Sequence, residues 1–459
     1  MKAFKAYDVR GIWGEDLNED IVYRIGYFLP EVLKTDTILV GRDMRLSSDA
    51  MFQALTRGIT DRGVNVDSIG LCTTPMVYFA TARHQYGGSV MITASHNPSN
   101  YNGLKVTRAG AAPVGYDKGL NIVEQYVESE KQTIPTAKKG IVRNIDIRNE
   151  YLTFMRQYLV EDLNMNIAVD CSNGMSALLI KDLLGDKPYY INDTADGHFP
   201  GHEPNPLESD NQTQLKQLVI EKHSDVGLLF DGDADRITFV DEKGQFVSPD
   251  LIIALLGHYF FEERHEKGIV LQDIRTSRAV ANYLKKRYNV QTEIWKVGRA
   301  FAVDKLRELD GCYGGELAGH YYFRDFFYSD SGILAALIVL RILNKFKKEG
   351  RTLSQIVCKI SKNLYNSGEI NFKIEKKQEA MEAVLNYFMD SDFEYDFNKF
   401  LRLLDFDGYR IDYTQYWLNI RPSNTEPYLR FIAEASTEGI LRAIVTKTTE
   451  IINEINSKE

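Results

Sequence analysis

Ile38-Leu39-Val40 breaks off into Gly41-Arg42-Asp43. The same arrangement, a short apolar run ending on polar residues, returns as Ile167-Ala168-Val169 into Asp170 and as Ile269-Val270-Leu271 into Gln272-Asp273. Runs of this length and β-branched character read as strands buried on both faces of a parallel sheet. An amphipathic stretch from Ala50 to Arg62 follows the first of them and suits a crossover helix. Three such units predict an α/β fold in which related domains repeat along the chain.

Each unit later delivers a loop dense in polar and glycine residues. The first is Thr93-Ala94-Ser95-His96-Asn97-Pro98, after Ser89-Val90-Met91-Ile92. The second is Asp231-Gly232-Asp233-Ala234-Asp235-Arg236, after Gly227-Leu228-Leu229-Phe230. The third is Gly314-Gly315-Glu316-Leu317-Ala318-Gly319-His320. Loops at the ends of strands in open α/β sheets are where such folds place their chemistry. Beyond about residue 365 the pattern shifts to Asn371-Phe372-Lys373-Ile374, Trp417-Leu418-Asn419-Ile420 and Tyr428-Leu429-Arg430-Phe431, strands of a smaller α+β domain. That domain carries a fourth loop, Arg421-Pro422-Ser423-Asn424-Thr425-Glu426-Pro427. The domains are expected at residues 1–147, 148–247, 248–365 and 366–459.

The bulk numbers agree with a protein that folds throughout. A chain of 459 residues, 44% hydrophobic and 26% charged, exceeds what one core supports. Its formal net charge of -9 speaks against binding nucleic acid, which takes clustered Lys and Arg, but not against small phosphorylated ligands. Cys72, Cys171, Cys312 and Cys358 lie far apart and read as neither a disulfide framework nor a zinc site. Met1 to Asp8 has no apolar core and is not read as a signal peptide, and Gly332 to Leu343 is too short to span a bilayer and reads as a buried helix. A cytoplasmic protein, monomer or homodimer and without a membrane partner, is expected.

Asp231, Asp233 and Asp235 alternate, so an extended backbone turns all three carboxylates to one side, where they repel one another unless a cation lies between them. Hard oxygen ligands with positions left open suit Mg²⁺. An EF-hand would also use this spacing, with Glu242 twelfth, but Arg236 stands where that loop needs glycine and the flanks read as strands. Ser95 lies between a strand and a Pro-containing turn, so it is either a presented nucleophile or a helix-capping serine. No G-x-S-x-G elbow surrounds it. A serine carrying phosphate beside a metal needs no hydrolase triad. In the fourth loop Arg421 and Arg430 offer bidentate N–H pairs, and Ser423, Asn424 and Thr425 add donors, a set suited to gripping a phosphate.

The four loops, in this order, resemble the signature loops of the α-D-phosphohexomutases, and the likeness runs from Tyr7-Asp8-Val9-Arg10-Gly11 to Arg430. The resemblance implies a heart-shaped molecule of three related α/β domains and a smaller C-terminal one. It also implies a phosphoserine that donates to a hexose phosphate and is restored from a hexose 1,6-bisphosphate, which serves as activator. On that basis Ser95 is the phosphoserine, and Asp231, Asp233 and Asp235, with Ser95, hold Mg²⁺. Arg10, Lys105 and Arg236 are the cations beside the transferring phosphate. Lys105 and His320 are candidates for acid and base, and Glu316 binds the sugar hydroxyls.

Ala318 stands where relatives often carry serine. Arg299 follows Val297-Gly298 where relatives often read Thr-Gly-His, and Arg275 takes a position where relatives carry lysine. These three, with Glu316 and His320, form the expected sugar-binding set. The wording of the loops is most similar to the mannose-phosphate branch of the family, with glucose phosphate as second substrate. A metal-dependent phosphohydrolase is the rival from another class, and it would have no use for a phosphate clamp opposite the metal.

Overall fold

The computed structural model describes residues 1–129, 131–390, 399–423 and 428–457. Four sheets follow one another along the chain. The first is built on Thr37–Arg42, whose neighbours Asn65–Leu71 and Gly88–Ile92 run parallel to it. Its strand order is Val9–Ile12, Tyr101–Arg108, Gly88–Ile92, Thr37–Arg42, Asn65–Leu71 and Val142–Asn144, with Ala112–Pro113 paired to Tyr101–Arg108. The strand read from Ile38 is therefore present, and the helix behind it spans Ser48–Asp61. The sheet is mixed rather than purely parallel, because Tyr101–Arg108 pairs antiparallel with both Val9–Ile12 and Gly88–Ile92. Those pairings hold as a strand a segment that its Asn102-Gly103 would otherwise leave as a turn.

The second sheet runs Phe246–Val247, Ile237–Asp241, Val226–Phe230, Ile167–Asp170 and Tyr189–Ile191. The third runs Thr292–Trp295, Val270–Asp273, Tyr313–Gly315, Tyr321–Phe323 and Ser329–Asp330. Val226–Phe230 is buried at every position and pairs parallel with Ile167–Asp170, as its apolar run requires. The fourth sheet is antiparallel: Tyr365–Asn366, Tyr428–Ala435, Tyr416–Pro422, Tyr409–Tyr413 and Phe400–Leu404, with Ile370–Lys373 added to Tyr428–Ala435.

One hydrophobic core joins the second and third sheets and extends to Leu39, Met76 and Met91 of the first. Its centre is the helix Gly332–Lys348, apolar on nearly every face. Ser331 caps it by accepting from the Leu334 N–H at 3.1 Å, and Lys345, Lys347 and Lys348 complement its carboxyl end. Among the described residues no helix is long and apolar enough to cross a membrane. Cys72, Cys171 and Cys312 are buried as free thiols and Cys358 is exposed.

Candidate functional site

Ser95 follows the strand Gly88–Ile92 and takes left-handed backbone, with φ 51°. A β-carbon is disfavoured there, so the surroundings must hold the residue in place. They do so chiefly through Arg45, which reaches the loop from the end of the strand Thr37–Arg42. Its guanidinium donates to the carbonyls of Ser95 (2.8 Å), Asn97 (2.6 Å), Pro98 (2.6 Å) and Tyr101 (3.0 Å) and lies 3.2 Å from Asp43. The Ser95 N–H donates to Thr93 Oγ1 at 2.9 Å. Gly232 has to be glycine because a β-carbon would come within 2.5 Å of the Ser95 carbonyl oxygen.

That close approach brings the first and second loops together. The Ser95 hydroxyl donates to Asp231 Oδ2 at 2.8 Å and lies 3.3 Å from His96 Nδ1. Asp231, Asp233 and Asp235 are buried, each with an oxygen within 4.8 Å of the others. Ala234 between them also takes left-handed backbone, φ 62°. Lys105 Nζ binds Asp233 Oδ2 at 2.6 Å and also Asp235 Oδ2, and the Thr74 hydroxyl donates to Asp233 Oδ2 at 2.5 Å. Asp233 Oδ1 and Asp235 Oδ1 are buried with no hydrogen-bond partner among the described residues. Buried acceptors left open on neighbouring carboxylates fit a divalent cation and little else.

The electrostatics follow from this crowding. Burial first, then repulsion from Asp233 and Asp235, pushes the Asp231 carboxyl well above its usual range. For Asp235 burial is again the largest influence, but Lys105 and His320 overcome it and hold the carboxyl low. Burial also works against the Lys105 ammonium, and the two aspartates outweigh it, so its pKa is raised. His96 is kept neutral by burial and by the nearby Arg236 and Arg10. Arg10 itself donates to Asn97 Oδ1 at 2.9 Å and pairs with Asp8.

The second and third loops are joined by backbone. Arg236 and His320 form an antiparallel bridge, and the Ile237 N–H donates to the Gly319 carbonyl at 3.1 Å. Arg236 Nε lies 2.9 Å from His320 Nε2, and His320 Nδ1 lies 2.6 Å from Asp330 Oδ2. Arginine cannot accept, so Nε2 is the acceptor and the proton sits on Nδ1, toward Asp330. Asp330 is fully buried and also accepts from Arg299 Nε at 2.8 Å. Arg299 is otherwise engaged by the Ala111 carbonyl and Ser329 Oγ, and its guanidinium stands 3.7 Å over the Tyr78 ring.

Glu316 Oε1 accepts from the Tyr322 hydroxyl at 2.6 Å and from the Gly298 N–H at 3.2 Å, and burial raises its pKa. Ala318 is half-buried within the tight turn closed by Gly319 N–H to Glu316 carbonyl.

A short chain of contacts carries the third loop to the fourth sheet. Asp273 Oδ2 accepts from the Leu317 N–H at 2.8 Å and from Arg275 at 2.7 Å, and Arg275 reaches Glu369 at 3.2 Å. Glu369 also pairs with Arg430 at 3.0 Å. Asp407 binds Arg421 at 3.5 Å and accepts from the Val297 N–H at 2.8 Å. Arg275 thus lies between the third loop and the cations Arg421 and Arg430, and its charge acts on Glu316 and on Arg421 alike. Ser423 is buried, with its N–H on the Tyr428 carbonyl at 2.9 Å. Asn424 and Thr425 lie outside the described residues.

Arg45, Thr74, Asp273, Asp330, Glu369 and Asp407 were not found from sequence. Asp330 had a signal, since it is a lone charge just ahead of the apolar run Ile333 to Leu340. The arrangement as a whole sets a hydroxyl against a carboxylate triplet, surrounds both with cations, and places a buried carboxylate and a basic cluster at increasing distance along the chain of contacts.

Family models cover the chain in four consecutive pieces. The descriptions are phosphoglucomutase/phosphomannomutase alpha/beta/alpha domain I over residues 1–133, domain II over 149–244, domain III over 248–363 and the C-terminal domain over 369–451. The chain is 35% identical to a phosphomannomutase of Salmonella montevideo, covering 100% of this chain and 99% of the relative. It is 34% identical to a phosphomannomutase of Escherichia coli K12, covering 98% of each. Among solved structures, a phosphoglucomutase/phosphomannomutase family protein of Burkholderia thailandensis superposes with TM-score 0.84 at 25% identity, over 99% of this chain and 97% of that one. The Paramecium phosphoglucomutase parafusin shares the fold at TM-score 0.80 and 18% identity, over 99% and 95%.

Proposed function

This chain belongs to the phosphoglucomutase/phosphomannomutase family, and from that premise we propose that it interconverts mannose 1-phosphate and mannose 6-phosphate, with glucose phosphates as second substrates. The observation that carries the proposal is the Ser95 hydroxyl held 2.8 Å from Asp231 within the carboxylate triplet.

In this reading Ser95 carries a phosphoryl group on Oγ. A substrate hydroxyl attacks the phosphorus, the P–Oγ bond breaks, and a hexose 1,6-bisphosphate forms. After the sugar turns over, Ser95 Oγ attacks its other phosphorus, and the second hexose monophosphate leaves. Mg²⁺ held by Asp231, Asp233, Asp235 and an oxygen on Ser95 would supply charge compensation to the phosphoryl oxygens. Arg10 and Arg236 flank those oxygens. Lys105 serves as acid once the two aspartates turn from it to the cation, and His320 serves as base once Arg236 turns to the phosphoryl oxygens and frees Nε2. Glu316 grips the sugar hydroxyls. Arg421 and Arg430, with Arg275 beside them, take the phosphate that is not reacting, and binding energy there holds the bisphosphate while it turns. The basic cluster favours this reading over a phosphohydrolase, which needs no second phosphate grip.

The test is a pair of coupled assays on mannose 1-phosphate and glucose 1-phosphate with Mg²⁺ and a trace of hexose 1,6-bisphosphate. The 6-phosphates should form, and both EDTA and Ser95→Ala should abolish them. Release of inorganic phosphate without isomerisation overturns the proposal.

A further inference from the structure

A cavity of about 310 Å³ lies between the third and fourth sheets and shares no residue with the site described above. Arg278 from the helix Arg278–Tyr288 faces it on one side, and Arg402 and Arg410 face it on the other. One lining carboxylate, Asp412, serves all three: 2.6 Å from Arg402 Nε, 3.2 Å from Arg410 Nε and 3.7 Å from Arg278 Nη2. Glu434 behind them accepts from the Trp417 side-chain N–H and the Arg278 backbone N–H on Oε1, and its charge also supports Arg278 and Arg410. Burial lowers the pKa of both Arg278 and Arg410 against the pull of Asp412 and Glu434, and the three guanidinium groups outnumber these two carboxylates.

Part of this arrangement is mechanical. Arg410 Nη1 donates to the Ile274 and Thr276 carbonyls at 2.6 and 3.0 Å, and Arg278 donates to those of Thr414 and Tyr416, so both hold the fourth sheet to the third. That role leaves two features unexplained. Arg402 is half-exposed, and its Nη groups have no partner among the described residues. Gln272 is 1% exposed, lines the cavity, and its Oε1 has no hydrogen-bond partner. Buried amide acceptors are rarely left so, and a half-turn of the amide would offer this one to a ligand hydroxyl.

We propose that this cavity is a second binding site, taking a small hydroxylated phosphate ester with its phosphoryl group on Arg402 and Arg278 and a hydroxyl on Gln272. Asn282 and Thr292, also in the lining, supply further polar contacts, and the volume suits a molecule of sugar-phosphate size. An occupant would bear on the carbonyls of Ile274 and Thr276, either side of Arg275, through Arg410.

The probe is glycerol 3-phosphate, whose three carbons cannot make it a hexose substrate, titrated calorimetrically into the full chain. Arg421→Gln, which loosens the first site's grip on a phosphate, should still bind it saturably, while adding Arg402→Gln or Asn282→Leu to that variant should weaken the remaining binding by at least about tenfold. Arg402 is half-exposed, so its variant should fold and keep wild-type hexose phosphate turnover; Asn282→Leu fills the cavity without altering its charge. Absence of saturable binding in wild type overturns the proposal. So does binding that Arg421→Gln abolishes, or that both added substitutions leave unchanged.

Discussion

At His320 two neighbours decide which nitrogen can act. Arg236 occupies the side of Nε2 and Asp330 holds the proton on Nδ1. Replacing Asp330 by Asn removes the carboxylate that orients the ring through Nδ1 and stabilises it when Nε2 takes up a proton. Asp330→Asn should lower kcat roughly 10²–10⁴-fold with KM nearly unchanged, and should shift the pH profile of kcat, which a merely structural loss would not do. Elsewhere in the second domain, His202 Nε2 meets buried Asp170 at 3.0 Å. Burial alone would lower the imidazole pKa, but the bond to Asp170 outweighs it, so the folded value is raised above the ordinary 6.5. Such a group stabilises the fold fully below its unfolded pKa, and the contribution is lost as pH rises through the folded one. The stability gap between wild type and His202→Gln in urea should therefore be widest near pH 6 and shrink steadily toward pH 9. A gap that widens with pH defeats the assignment. Ser95 and the three aspartates were legible in the chain because their chemistry is written within a few residues. Asp330 was not, because its meaning depends on His320 ten residues earlier and on a fold that turns the two side chains toward each other.

The elements that serve the site are held by their ends. The loop after Gly88–Ile92 keeps left-handed Ser95 because one guanidinium takes four of its carbonyls. Arg45→Lys keeps the charge but loses the planar fork, and an ammonium has three donors to offer. Amide hydrogen exchange over residues 95–101 should quicken at least about tenfold in that variant, with Val226–Phe230 unchanged as the internal reference. Phosphoryl uptake at Ser95, read by intact mass, should slow with it. Equal exchange in both proteins would dismiss the staple. The buried strands and the helix Gly332–Lys348 were readable from runs of apolar residues. Tyr101–Arg108 was not, since Tyr101-Asn102-Gly103-Leu104-Lys105 carries turn residues, and only its two antiparallel neighbours make it a strand. Lys105 within it was named only through the family resemblance, since nothing in Asn102-Gly103-Leu104-Lys105 by itself marks the cation as a site residue.

Across the whole molecule the cations Arg275, Arg421 and Arg430 lie on two sheets and meet over Glu369 and Asp407. Charge-assisted bonds to a phosphate are each worth about 1.5–3 kcal/mol, so Arg421→Ala should raise KM for hexose phosphates roughly 10–100-fold. The fraction of the isolated protein phosphorylated at Ser95 should stay as in wild type by mass, since the clamp is remote from the serine. The repetition of α/β units was plain from the recurring strand-and-loop pattern, whereas the contacts between sheets, Asp407 to Val297 above all, join residues about a hundred positions apart and leave no local trace. One such contact has a mechanical meaning. The bridge between Arg236 and His320 and the Ile237-to-Gly319 hydrogen bond splice the carboxylate loop to the turn that presents Glu316. Those two parts form the anvil of a vice. The piece bearing Arg421 and Arg430 is its screw, so force applied in opening the molecule is borne at Asp407, Glu369, Arg278 and Arg410, and the anvil keeps its shape with the jaws apart.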